Sequence, residues 1–224
     1  SIGDIGSGLY ATIGVQAALF HRQLTGEATK VDIGMLDCQL ALLENAVMRY
    51  QVSGTAPGPL GARHPSITPF EAYKTKDGYI IISAGNDGLF AKLAEALENP
   101  GWAEDPDYSS NDNRNKHVEK LKIEMESVLT THTTSHWIEV LDKFGVPSGP
   151  INDIGQAATH PQTIARNMIV SVDDPITGPM KVAGNPIKIS GFEDPETREP
   201  APNLDQNREQ IPVSYTHLRA HETV

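Results

Sequence analysis

The sequence predicts an α/β protein in two parts. Residues 1–53 form a helix–strand–helix piece of a layered domain, and residues 66–160 form a small α+β domain. Three observations carry this. Apolar residues recur at three- and four-residue steps on both sides of the short β-branched run "TKVDIGM". The pair Asp77-Gly78 sits between two strand-like runs and precedes several amphipathic helices. Glycine and proline crowd "SGTAPGPLGARHPS" between the two parts.

In the first part, residues 6–24 read as a helix with Leu9, Ile13, Ala17 and Phe20 on its apolar face. Gly26 follows, where a left-handed cap is favoured. "TKVDIGM" reads as a strand. Residues 36–52 read as a second helix with Leu40, Leu43, Val47 and Tyr50 together. A helix–strand–helix order belongs to a layered α/β domain.

Residues 54–65 read as a linker loop. "PFEAYKT" and "GYIIISAG" then read as a hairpin, and "DGLFAKLAEALE" as a helix with Asp87 at its N-cap. Two further helices are expected near 114–131 and 134–144. Thr134 would cap the second, with Trp137, Ile138 and Leu141 inward. "GVPSGP" reads as a rigid turn. Residues 161–212 return as strands and extended chain ("MIVSVDDP", "MKVAGNPIKIS", "EPAP") to whatever the first part belongs to. Residues 213–224, "VSYTHLRAHETV", carry no amphipathic stripe. They resemble the translated end of a transposon-based sequencing adaptor, so His217 and His221 are set aside as metal ligands.

Composition narrows the function. With 38% hydrophobic residues the chain can build a core, and its net charge of −11 argues against nucleic acid and anionic membrane surfaces as partners. No apolar stretch is long enough to span a bilayer, and no signal peptide is visible. The lone Cys38 lies in the apolar run "MLDCQLALL". It excludes an internal disulfide and a multi-cysteine metal site, and it fits a reducing cytoplasm. No Walker loop, zincin motif or G-x-S-x-G occurs.

Two places could carry chemistry. Asp4 lies among Gly3, Gly6 and Gly8 at the start of a helix. It reads as an N-cap, as a nucleophile, or as both, because a helix N-terminus favours a carboxylate's charge and an accessible carboxylate can attack an acyl group. The glycines would leave room for a bulky thioester. The loop "PGPLGARHP" reads either as a linker or as a mobile cover, with Gly58, Gly61 and His64 as its candidates. "SAGND" at 83–87 is an ordinary strand–helix turn that could also receive an anion.

Four ordered blocks carry a resemblance: "GDIGSGLYATIGVQAALFHRQLTGEATKVDIGMLD", "HPSITPFEAYKTKDGYIIISAGND", "GVPSGPINDIGQA" and "GNPIKISGFEDPETREPAP". With them the chain resembles the class III (CaiB/BaiF-type) CoA-transferases from residue 1 to about 212. The second block is most similar to the succinyl-CoA:glutarate, or dicarboxylate, branch. The resemblance implies a Rossmann-like large domain built from both chain ends, a small domain between them, and an interlocked homodimer. It implies that this stretch lacks the N-terminal half, which would supply most coenzyme A contacts, and so is inactive alone.

The resemblance also places the nucleophile on Asp4 and the covering loop on Gly58–His64, although this loop has fewer consecutive glycines than its formyl-CoA transferase counterparts. Coenzyme A and its acyl thioesters are then substrates, with a carboxylic acid as the other partner and with no metal and no permanently bound cofactor. The fold also hosts acyl-CoA racemases, which use an upstream histidine absent from this stretch. A racemase, and an inactive fragment or interaction module, therefore remain open.

Overall fold

The structure is a computed structural model that describes residues 1–208. Residues 213–224, read above as the translated end of a sequencing adaptor, lie outside the described residues. The chain divides into two compact units that meet between Pro65 and Ser66.

The first unit is helical. Helix α1 (Ile2–Thr25) ends on Gly26, whose φ of 78° and N–H bond to the Arg22 carbonyl make the expected left-handed cap. The expected second helix is two, α2 (Met35–Leu42) and α3 (Glu44–Ser53), broken at Leu43. Residues 29–34 form neither helix nor strand and pair with no strand among the described residues, so the expected strand is absent.

Close packing joins these pieces. A Cβ on Gly6 would lie 3.0 Å from Leu42 Cδ1, and one on Gly14 would lie 2.8 Å from Val31 Cγ1. The glycines therefore let α2 and the segment around Val31 approach α1.

Very little apolar surface is covered within this unit. Among its described apolar side chains only Cys38 is buried. Leu9, Ile13, Phe20 and Leu36, expected or able to face a core, are 61%, 63%, 64% and 70% exposed. The 3.6-residue periodicity is real, but its apolar face has no partner here.

The second unit holds the core. Strands β1 (Phe70–Lys74) and β2 (Tyr79–Ser83) form the hairpin read from Asp77-Gly78. A third strand, β3 (Ser148–Pro150), pairs antiparallel with β2 and corrects the reading of "GVPSGP" as a turn. Proline is tolerated there because β3 is an edge strand. Helix α4 (Asp87–Ala96), α5 (Asn111–Lys116), α6 (Val118–Leu129) and α7 (Thr134–Lys143) follow the hairpin. The single helix expected at 114–131 is interrupted at His117.

Tyr73, Ile80, Ile82, Phe90, Leu93, Leu97, Leu121, Met125, Leu129, Trp137 and Leu141 close into one apolar cluster. The indole N–H of Trp137 donates to the Leu129 carbonyl at 2.7 Å, which satisfies its polar atom inside that cluster. Glu71 is buried on β1 and paired with Lys122 of α6.

Two expected caps move by one residue. Asn86, not Asp87, caps α4, and Thr133, not Thr134, caps α7. The Asp77 carboxylate at the hairpin turn accepts from Thr134 N–H at 2.7 Å and from Thr134 Oγ1 at 3.0 Å. These bonds, the Thr134 N–H first, hold Asp77 below the ordinary carboxylate value of 3.8. Its stabilising contribution is therefore fully present above pH 3.8 and is lost as pH falls through the lower folded value. Asp77→Asn should lower the melting temperature at pH 7 and lose less further stability than wild type on acidification below pH 4 (~0.5 unit steps in a thermal series suffice). Identical acid profiles for the two proteins would contradict this.

Beyond the core lie two short helices, α8 (Ile154–Thr159) and α9 (Pro161–Ala165), and a second sheet. In that sheet β4 (Ile169–Asp174) pairs antiparallel with β5 (Gly178–Ala183) and parallel with the two-residue β6 (Thr197–Arg198). "IKIS" and "EPAP" are not strands.

Candidate functional site

Asp4 lies inside the first turn of α1 and is not its N-cap; Ser1 occupies that position without a side-chain cap bond. The first helical bond in the structure is Ile5 N–H to the Ser1 carbonyl at 3.0 Å. Among the described residues the N–H groups of Ile2, Gly3 and Asp4, which precede it, have no helical carbonyl to bond. The Asp4 side chain is exposed. An exposed carboxylate beside such donors can act as a nucleophile, and the donors can meet negative charge that forms on an acyl oxygen.

The neighbouring glycines divide into two roles. Gly3 and Gly6 face α2, whereas Gly8 opens onto free space within 4 Å among the described residues. A side chain at Gly3 or Gly6 would run into α2, so these two glycines serve helix packing rather than the access expected of all three, and Gly8 alone of the three has open space around it.

Gln39 was not singled out from the sequence. A Cβ on Gly3 would lie 3.2 Å from its Cδ and 3.3 Å from its Nε2, so its amide rests against the residue preceding Asp4. The only signal for it was an amide inside the apolar run "MLDCQLALL".

The loop candidates lie at the end of the same unit. Residues 54–62 are exposed, and His64 is half-buried. Gly61 has φ +64°, a left-handed conformation that side chains disfavour, while Gly58 has no such requirement and open space around it. Among the described residues no hydrogen bond joins Asp4 to Gly58, Gly61 or His64.

The turn at "SAGND" offers an anion little. Asn86 Oδ1 accepts Leu89 N–H at 2.9 Å, and the adjacent Asp87 already brings negative charge to that helix start. An open cavity of about 510 Å³ between Ala165–Asn167 and residues 185–194 contains none of the sequence candidates. Among the described residues no three His, Cys, Asp or Glu side chains gather as a metal site, and no helix is long and apolar enough to cross a membrane.

Comparison with known proteins adds what the local geometry lacks. A family model described as CoA-transferase family III matches residues 1–208. Acetyl-CoA:oxalate CoA-transferase of Acetobacter aceti is 38% identical over 206 residues, which is 92% of this chain and 52% of that protein. Human succinyl-CoA:glutarate CoA-transferase is 31% identical over 208 residues, 93% of this chain and 47% of the relative. The chain thus spans about half the length of the curated relatives it matches. The crystal structure of a CAIB/BAIF family protein from Brucella suis superposes with a TM-score of 0.73 at 33% identity, covering 93% of this chain and 54% of its own.

Proposed function

Because this chain belongs to CoA-transferase family III, we propose that the whole protein moves coenzyme A from an acyl-CoA thioester to a carboxylic acid, with Asp4 as nucleophile. The family match over residues 1–208 carries the reading, and the exposed carboxylate in the first turn of α1 supports the residue assignment.

An oxygen of the Asp4 carboxylate attacks the thioester carbonyl carbon. The C–S bond breaks, CoA thiolate leaves, and a mixed aspartyl anhydride remains. The thiolate then attacks the Asp4 carbonyl of that anhydride, which forms an aspartyl-CoA thioester and releases the first acid as its carboxylate. The acceptor carboxylate runs these steps in reverse and departs as the new acyl-CoA, leaving Asp4 free. One thioester replaces another, so the balance closes without ATP. Covalent catalysis divides a difficult exchange into easier steps. The N–H groups at the start of α1 stabilise the oxyanion of each tetrahedral intermediate. The loop at Gly58–His64 covers the intermediates against water.

The acceptors are short dicarboxylic acids. Oxalate, glutarate and mesaconate stand in the names of relatives from three sources, at 38%, 31% and 30% identity. The apolar face of residues 1–65 supports a larger assembly. The remainder of the large domain and a partner subunit, in the interlocked dimer characteristic of the family, would cover it.

The test is an exchange assay on the full-length protein without added ATP. Acetyl-CoA or succinyl-CoA with oxalate or glutarate should yield the acceptor's CoA thioester, followed by chromatography. Failure of every donor–acceptor pair in a dicarboxylate panel would overturn the reading.

A further inference from the structure

Helix α1 carries four glycines, and three of them have a close neighbour. A Cβ on Gly3 would lie 3.2 Å from Gln39 Cδ, one on Gly6 3.0 Å from Leu42 Cδ1, and one on Gly14 2.8 Å from Val31 Cγ1. Gly8 meets nothing within 4 Å among the described residues, and its φ is not in the left-handed region. Neither packing nor backbone geometry within this unit calls for a glycine there. Glycine in a helix interior is nonetheless less stable than alanine, because it gives up more backbone freedom on folding.

We infer that Gly8 is a specificity-determining position for the exchange reaction: the space it leaves beside Asp4 receives the acyl group of the CoA thioester. The inference rests on the proposed reading of Asp4 as the nucleophile.

Helix geometry supplies the link. Residues four apart lie on one face, and each Cα–Cβ bond tilts toward the helix N-terminus. A side chain at position 8 would therefore lie over the turn that holds Asp4. The other neighbour one turn on, Ser7, turns toward Gly3 instead, its Oγ donating to the Gly3 carbonyl at 2.7 Å. Thr12, one turn beyond Gly8, folds back in the same way, its Oγ1 donating to the Gly8 carbonyl at 2.9 Å. The Asp4 side chain is exposed, and the helix surface next to it carries no bulk.

The chemistry needs that room. When an Asp4 oxygen attacks the thioester carbonyl, the acyl carbon comes to bonding distance, and the acyl chain must lie close beside the nucleophile. A side chain at position 8 would take volume from longer acyl chains first. The substrate class is thus a CoA thioester whose acyl chain extends beyond acetyl, such as a half-thioester of a dicarboxylic acid.

The test uses the full-length protein with acetyl-CoA and succinyl-CoA as donors and one common acceptor. The readouts are kcat/KM for each donor and the melting temperature. In Gly8→Leu the ratio of kcat/KM for succinyl-CoA to that for acetyl-CoA should fall about tenfold or more, the discrimination that a shaped pocket draws from a methylene or two. Gly8→Ala should shift the ratio the same way by less, and it serves if the leucine variant folds poorly. Its melting temperature should lie about 1–2 °C above wild type, as alanine replaces a helical glycine. An unchanged ratio in every variant that folds would overturn the inference, even with both rates lowered. So would a melting temperature lowered by more than about 3 °C in Gly8→Ala, which would give the glycine a packing role instead. Asp4→Ala in the same assay separates the two claims. An inert Asp4→Ala with unchanged ratios in the Gly8 variants removes the specificity role alone, whereas persisting exchange in Asp4→Ala removes the reading beneath it.

Discussion

Asp4→Ala in the full-length protein is expected to lower acyl exchange by about 10⁴-fold or more, the scale on which enzymes lose activity when a covalent nucleophile is removed. Asp4→Asn should fall nearly as far, because an amide cannot form the anhydride. Stability should barely change. Asp4 is an exposed side chain in a helix whose start carries no side-chain cap bond. A surface carboxylate in a first turn contributes only about 0.3–1 kcal/mol. The pairing of large kinetic loss with near-wild-type melting distinguishes a nucleophile from a helix-stabilising charge. Exchange at wild-type rate in Asp4→Ala would contradict the assignment.

Arg114→Ala should have a large effect on the folding of the second unit. The guanidinium is 1% exposed and donates to the Thr68 carbonyl at 2.7 Å, the Tyr108 carbonyl at 2.8 Å and Asp87 Oδ1 at 2.7 Å. Its carbon also lies 4.5 Å from the centroid of the Phe90 ring. Removing it leaves two carbonyls without their donor and a void over an aromatic ring. Asp87 is 63% exposed and is rehydrated, so the cost comes from the carbonyls and the packing rather than from a stranded charge. Together these cost about 3–5 kcal/mol, a melting-temperature loss on the order of 10 °C. Arg114→Lys should recover only part, because one ammonium cannot reach three acceptors spread around a planar fork. A calorimetric shift of less than about 2 °C for Arg114→Ala would show that the grip on Thr68 is redundant.

The mixed α/β class, the hairpin at Asp77-Gly78 and the helices after it were legible because each is a local pattern. Turn chemistry, period and caps lie within a few residues of one another. The misreadings also have local causes. "GVPSGP" reads as a turn from its Gly and Pro, yet Ser148–Pro150 completes the sheet, because an edge strand needs partners on one side only. "TKVDIGM" has strand composition but no neighbour to pair with among the described residues. A strand needs a partner that composition alone does not supply.

The faces of α1–α3 are periodic but uncovered, since periodicity reports a preference for burial and not what does the burying. Around the site, the helix start at Asp4 could be read from "GDIGSG", but the division of labour among Gly3, Gly6 and Gly8 could not. It depends on where α2 crosses α1, which is a tertiary fact. Gln39 was hidden for the same reason.

The most direct test of Asp4 as the covalent centre is peptide mass spectrometry of the full-length protein after incubation with acyl-CoA and hydroxylamine. Attack of hydroxylamine on the anhydride or thioester should convert the Asp4 side chain to a hydroxamate, and the modified peptide should appear only when acyl-CoA is present. A hydroxamate on a different residue, or steady exchange with the Asp4 peptide unmodified, would contradict the mechanism.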